Sequence, residues 1–210
     1  MRRTILFLLM FLPSQVRVIC YRRFFRWRIG RGVKIGLSYL DCTDLEIGDS
    51  VRIGHFNSFR KTRKLTIGAE TFIGSFNQLS GSGTYYENFP CTVTIGRKCF
   101  IMSRHFIDSS GTVTIHDGVT LAGRDTQIWS HSQVMQDEMP QLAPITVEIG
   151  ADAYIGARAT LVGCKLPSKA LVGAGSVVTK DFTDIHDRVL IAGNPAKVVK
   201  TYPRDAGAQL

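Results

Sequence analysis

The sequence predicts an all-β chain wound as a parallel β-helix, and three observations predict it. Aliphatic residues recur in pairs six apart: Ile29 and Ile35, Ile47 and Ile53, Ile67 and Ile73, Ile95 and Ile101, Ile115 and Leu121, Ile149 and Ile155. Glycine follows most of them, as at Gly30, Gly36, Gly48, Gly54, Gly68, Gly74, Gly96, Gly150 and Gly156. A small or β-branched residue often stands four places on: Val33, Val51, Thr71, Val119, Ala153 and Ala159. Period six suits neither a helix face nor an alternating strand. It suits a short strand followed by a turn, with the aliphatic side chain pointing inward and glycine permitting the bend. Three such strands close a coil of about 18 residues, and stacked coils cover one another's apolar faces.

The chain divides into a head (1–28), the repeating body (29–200) and a short tail (201–210). In the head, ILFLLMFL at 5–12 precedes Pro13. This run is shorter than the roughly 20 apolar residues needed to cross a bilayer. It follows Arg2 and Arg3 as a signal-peptide core would, but no small-x-small cleavage site comes after it; the basic, aromatic CYRRFFRWR does. Two readings stand: an amphipathic helical segment lying peripherally on an anionic membrane surface, and a helix capping one end of the core. One segment can do both. The formal net charge of +9 is concentrated here. Arg2, Arg3, Arg17, Arg22, Arg23, Arg26, Arg28, Arg31 and Lys34 all precede the first acid, Asp41, and the remaining basic residues balance the acids. A basic head on a neutral body argues against nucleic acid, whose binders spread charge over a working face.

Cys20, Cys42, Cys91, Cys99 and Cys164 are odd in number, and none are spaced C-x-x-C. They read as reduced, small core residues of a cytoplasmic protein. No zinc-ligand spacing, P-loop or dinucleotide fingerprint is present, so no metal is expected.

Within the body the spacing between pairs is informative. Ile29 to Ile47 is one bare coil; Ile47 to Ile67 and Ile95 to Ile115 are slightly longer. Ile67 to Ile95 and Ile115 to Ile149 carry large excesses. These fall at SGSGTYYENFP (80–90) and WSHSQVMQDEMPQLAP (129–144), read as loops extruded from a rigid scaffold, where function concentrates. His131 opens the second.

The hexad pattern, with PITVEIGADAYIGARATLVG, GAGSVVTKDF and IAGNPAKVVK in that order, resembles the left-handed parallel β-helix acyltransferases over about residues 29–200. The C-terminal order is similar to that of maltose, galactoside and related sugar O-acetyltransferases. The head, with LPSQVRV and IGRGVKIG, is more similar to members that modify surface polysaccharides. The left hand is implied by the resemblance, since parallel crossovers are in general right-handed.

The resemblance implies that His131 is the catalytic base. It would take the proton of a sugar hydroxyl as that oxygen attacks the thioester of acetyl-CoA. Backbone N–H groups would hold the oxyanion, and direct transfer needs no cysteine nucleophile. Ser130-His131-Ser132 stands where relatives often have Thr-His-Pro or Thr-His-Gly. A second histidine competes. His105, in SRHFIDSSG with Asp108 three residues on, could orient the acceptor, act as the base, or be a turn histidine bonded to Asp108. His116 and His55 read as structural turn residues. For the donor, the resemblance implies that Ala157 and Ala174 meet the pantetheine arm. Thr179, Lys180, Lys197 and Lys200 would meet the phosphates, with lysine where relatives often carry arginine at the last two positions. Tyr154 stands in place of a tryptophan near the site, and Trp129 and Tyr85 are candidates to line the acceptor pocket. LVGCKLPSKALVG is one residue shorter than usual, which leaves its register open. A site between subunits implies a homotrimer with three equivalent sites. The acceptor would be a sugar, a nucleotide sugar, a lipid-linked sugar or a growing surface polysaccharide. N-acetylation of an amino sugar is a close variant. A zinc hydratase of the γ-carbonic anhydrase kind, using His105, His116 and His131, and an inactive scaffold are the other classes.

Overall fold

A computed structural model describes residues 1–82, 87–136 and 139–203. The body is a left-handed parallel β-helix whose coils present three columns of inward side chains. The first column runs Ile29, Ile47, Ile67, Ile95, Ile115, Ile149, Leu166, each paired in parallel register with the next. The second runs Ile35, Ile53, Ile73, Ile101, Leu121, Ile155, Val172, Ile191. These two columns contain the aliphatic pairs of the sequence. The third is Leu40, Phe59, Leu79, Ile107, Ile128, Leu161, Val178, which the pairs do not name. All three columns are buried and form one continuous core.

The glycines that follow the aliphatic residues serve a purpose other than bending. An added Cβ at Gly48 would lie 2.5 Å from the Ala69 nitrogen of the next coil, so glycine there permits close stacking. The left-handed turn positions lie two residues later and are mostly not glycine: Ser50, Glu70, Lys98, Asp152 and Lys169 have φ of 58°, 61°, 54°, 58° and 62°.

Both excess segments leave the prism at the same edge, between the third column and the first of the next coil. The open register of LVGCKLPSKALVG resolves at that edge too. Ile149 pairs with Leu166 and Leu161 with Val178, so the missing residue falls between Leu161 and Leu166 and every column stays in line. The second excess is not the irregular loop expected. His131–Gln136 and Met139–Pro144 pair antiparallel, with His131 opposite Pro144 and Gln136 opposite Met139, and form a two-stranded ribbon.

The head forms two helices, α1 (Arg2–Leu9) and α2 (Ser14–Phe24), separated by Pro13, which cannot continue α1. Leu6, Val18, Tyr21 and Trp27 join the core at the first coil. Arg17 is buried and donates to the carbonyls of Met10 and Ile35, tying both helices to that coil. Part of the head's charge is neutralised inside the fold. Arg2 and Arg3 pair with Asp41, and Arg28 with Asp44 and Glu46. Among the described residues no helix is long and apolar enough to cross a membrane. At the far end, the strands Arg188–Gly193 and Ala196–Tyr202 form an antiparallel hairpin against the second column.

Candidate active site

The strand Phe106–Asp108 brings Asp108 to the edge from which both excess segments emerge. In the next coil Gln127–Trp129 lies directly on that strand, so Ser130 and His131 fall above Asp108. Asp108 is buried and its two oxygens are filled. Oδ1 accepts from the Ser110 N–H (3.2 Å) and hydroxyl (2.7 Å). Oδ2 accepts from the Ser130 N–H (2.9 Å) and hydroxyl (2.8 Å), and lies 2.8 Å from His131 Nδ1. An ionised carboxylate only accepts, so Nδ1 carries the hydrogen in this contact. The His131 side chain keeps 27% of its surface exposed, against 4% for Asp108. The arrangement orients the ring from behind through Nδ1 and leaves the side chain partly exposed.

The ribbon that starts at His131 is pinned where it leaves the coil. Ser130 accepts the Ile145 N–H through its carbonyl (2.8 Å), and its hydroxyl accepts the Gly111 N–H (2.9 Å). A Cβ on Gly111 would lie 2.2 Å from the Ser130 carbonyl oxygen and 2.1 Å from that of Ile145, so only glycine fits beneath the ribbon. Ser110 and Gly111 were not singled out by sequence; the signal was the SSG that follows Asp108. Trp129 packs edge-on against His131 with ring centroids 5.8 Å apart, and against Phe106 at 4.9 Å.

His105, the other candidate base or acceptor-orienting residue, is placed differently, with its ring inside the prism. It is 1% exposed and belongs to an internal ladder. In this ladder each side chain accepts the backbone N–H of the next coil: Ser38 from Asn57, Asn57 from Asn77, Asn77 from His105, and His105 Nδ1 from Thr126. Burial pushes the His105 pKa down to about 4, opposed in part by the Leu121 carbonyl and Asp125, so the ring is neutral inside the prism. The bond expected between His105 and Asp108 is absent; the carboxylate is taken by His131 from the coil above. His116 pairs with Glu148 (2.8 Å) on another edge, so the three histidines of the hydratase reading stand apart in the chain.

The other sequence-named residues fall in three groups. Ala157 and Ala174 lie on the edge between the second and third columns. A Cβ on Gly123 would touch the Ala157 methyl at 2.7 Å, and the Gly175 N–H donates to the Ala157 carbonyl (2.9 Å), so this edge is lined by small residues. Thr179 and Lys180 follow Val177–Val178 at the same edge as His131, two coils on, and are exposed. Lys197 and Lys200 are exposed on the terminal hairpin, with Lys200 Nζ 4.7 Å over the Tyr202 ring. Tyr154 is exposed on the second column's face, away from His131. Tyr85 lies outside the described residues.

No family model matches the chain. The galactoside O-acetyltransferase of Escherichia coli is 30% identical over 120 residues, covering 55% of this chain and 57% of that one. Over that segment the chain is similar to such acetyltransferases. It spans about half the length of the curated relatives it matches. Among solved structures, the polySia-specific acetyltransferase NeuO superposes with a TM-score of 0.59 at 20% identity, over 88% of this chain and 87% of that one. The hexapeptide-repeat acetyltransferase VCA0836 of Vibrio cholerae, complexed with acetyl coenzyme A, superposes with a TM-score of 0.52 at 19% identity over 96% and 86%. The N-acyltransferase AntD of Bacillus cereus reaches 0.57 at 15% identity over 92% of each chain. At these identities the solved structures speak for the fold.

Proposed function

We propose that this protein transfers an acetyl group from acetyl-CoA to a hydroxyl of a sugar or of a surface-polysaccharide precursor, with His131 as general base. The observation that carries the reading is the His131–Asp108 pair, held at an edge of a fold shared with acetyltransferases. Nε2 takes the acceptor hydroxyl's proton as the oxygen attacks the thioester carbonyl. Asp108 keeps the ring in the right tautomer and stabilises the imidazolium that forms. The tetrahedral intermediate collapses, the C–S bond breaks, and CoA leaves as a thiolate that can take the proton from His131.

Ala157 and Ala174 would offer backbone groups to the pantetheine arm. Thr179, Lys180, Lys197 and Lys200 would offer their side chains to the phosphates. Within one chain, the small-residue edge and His131 stand on opposite sides of a three-residue strand, about 10 Å wide. In the proposed homotrimer a neighbouring copy's edge would close that gap. Trp129, beside His131, would form one wall for the acceptor; Tyr154 faces elsewhere and would serve only a neighbouring copy. Five free cysteines, four of them buried, fit a cytoplasmic placement. Transfer to the amine of an amino sugar uses the same base and remains the second reading, favoured by the fold shared with an N-acyltransferase.

Titration calorimetry with acetyl-CoA tests the donor half. Wild type should bind, more weakly at high salt, and Lys180→Ala/Lys197→Ala should lose about tenfold in affinity. Absence of binding by folded, oligomeric protein would remove the transferase reading.

A further inference from the structure

We propose that the helical end of the prism docks on the surface of an anionic lipid bilayer. This inference does not rest on the transferase reading. Only Leu6 of α1 is buried, although the helix is apolar on nearly every side. In α2, Arg17, Val18 and Tyr21 face the first coil. Val16, Ile19 and Arg23 follow one another at helical spacing on the opposite side. Phe7, Leu8, Phe11, Ile19 and Phe24 are each more than half exposed and crowd the two helices, whereas exposed apolar residues of the body such as Phe56, Phe76, Phe100 and Met135 are spread over several coils and the ribbon. A helix apolar on the side away from its own core needs a second apolar phase.

The charge around this surface selects the occupant. No carboxylate precedes Asp41. Asp41, Asp44 and Glu46 are each engaged by an arginine of the head, and Asp49 by Arg31 of the first coil. Arg22, Arg23, Arg26 and Lys34 form no ion pair among the described residues, and Arg22 is held in place by the carbonyls of Ile29 and Gly30. Two clefts of about 670 and 500 Å³ flank the joint between the helices and share Pro13, Ser14 and Lys34. Apolar side chains at the joint with cations beside them match the boundary between acyl chains and phosphate headgroups. Two copies facing each other through this surface would bring like charges together.

Sedimentation of the full chain with phosphatidylcholine vesicles, with and without one part in three phosphatidylglycerol, tests the proposal. The protein should pellet with the anionic vesicles, remain free with the neutral ones, and be released by salt. Leu8→Ser/Phe11→Ser/Ile19→Ser and Arg23→Glu/Lys34→Glu should each lower the bound fraction about tenfold or more, with unchanged circular dichroism and melting, because all five side chains are exposed. The proposal is overturned if folded wild type stays in solution, or if both variants pellet like wild type. It is equally overturned if the apolar variant splits a self-associated species that never binds vesicles, since a second copy then covers the surface.

Discussion

His105 enters the third column in the fourth coil; His131 leaves the same column in the fifth. The first is the end of a ladder. Its Nδ1 accepts a backbone N–H, and Asn57 and Asn77 perform the same task in the coils before it. The second has its Nδ1 on a carboxylate and its side chain partly exposed. One residue type thus does two jobs. The difference is set by which edge of the prism it occupies and by what the adjacent coil offers it. At the inner edge the coils are uniform and the side chain replaces a missing backbone partner. At the outer edge an inserted ribbon breaks the repeat and turns the side chain toward solvent.

The comparison can be broken most sharply at His131. His131→Ala should lower acetyl transfer by about 10²–10⁴-fold, measured by thiol release from acetyl-CoA, with little change in melting. Asp108→Asn should cost about 100-fold or more in the same assay, because an amide no longer dictates the tautomer. It should also cost about 1–3 kcal/mol of stability from donors left poorly paired. At the other edge the signs reverse. His105→Ala should cost about 2–4 kcal/mol, from a cavity and an orphaned Thr126 N–H, while the rate per folded molecule is kept. His105→Asn should recover most of that loss by extending the Asn57–Asn77 pattern. A 100-fold drop in rate for His105→Asn at unchanged melting would return His105 to the chemistry and dissolve the distinction.

The pH dependence gives a finer test. Burial places the folded pKa of His105 at about 4, below its ordinary 6.5, so the unfolded chain binds the proton more readily. The stabilising effect of keeping the ring neutral is therefore complete above pH 6.5 and is lost as pH falls from 6.5 toward 4, by up to about 3 kcal/mol. Denaturant titrations across that window should show a steeper decline for wild type than for His105→Asn. Parallel curves would mean that His105 is hydrated in the native state.

Much of the scaffold could be read from spacing, because a stacked coil repeats its own geometry. Ile29 to Ile47 is a coil in the sequence and a register pair in the structure. The third column escaped notice because no glycine marks it. Glycine was linked to bending, whereas Gly48 is small because the next coil passes 2.5 Å from where its Cβ would be. The segment 129–144 reads as a loop because it departs from the hexad, and its pairing as an isolated two-stranded ribbon, with Pro140 and Pro144 in one strand, leaves no periodic trace. The partner of Asp108 stays open in the sequence for a related reason. His105 is three residues away in sequence, but the stacking of coils places His131, 23 residues on, at 2.8 Å. Proximity along a β-helix is counted in coils, and an insertion changes that count without moving the neighbours.

Stacked coils also make the body a ruler. Each step rises about 4.8 Å, so the first coil, which carries the two helices, and the fifth, which carries His131, are about 19 Å apart. A helical layer adds about 10 Å. A molecule resting on headgroups through α1 and α2 with its axis upright would hold the Nε2 of His131 about 30 Å above them. Hydroxyls next to a lipid's phosphate would lie below its reach, whereas those several sugars out along a chain would be level with it. Under the proposed docking and transfer, the number of coils would set how far from its anchor a glycan is modified, and one coil added or removed would shift that position by a single graduation.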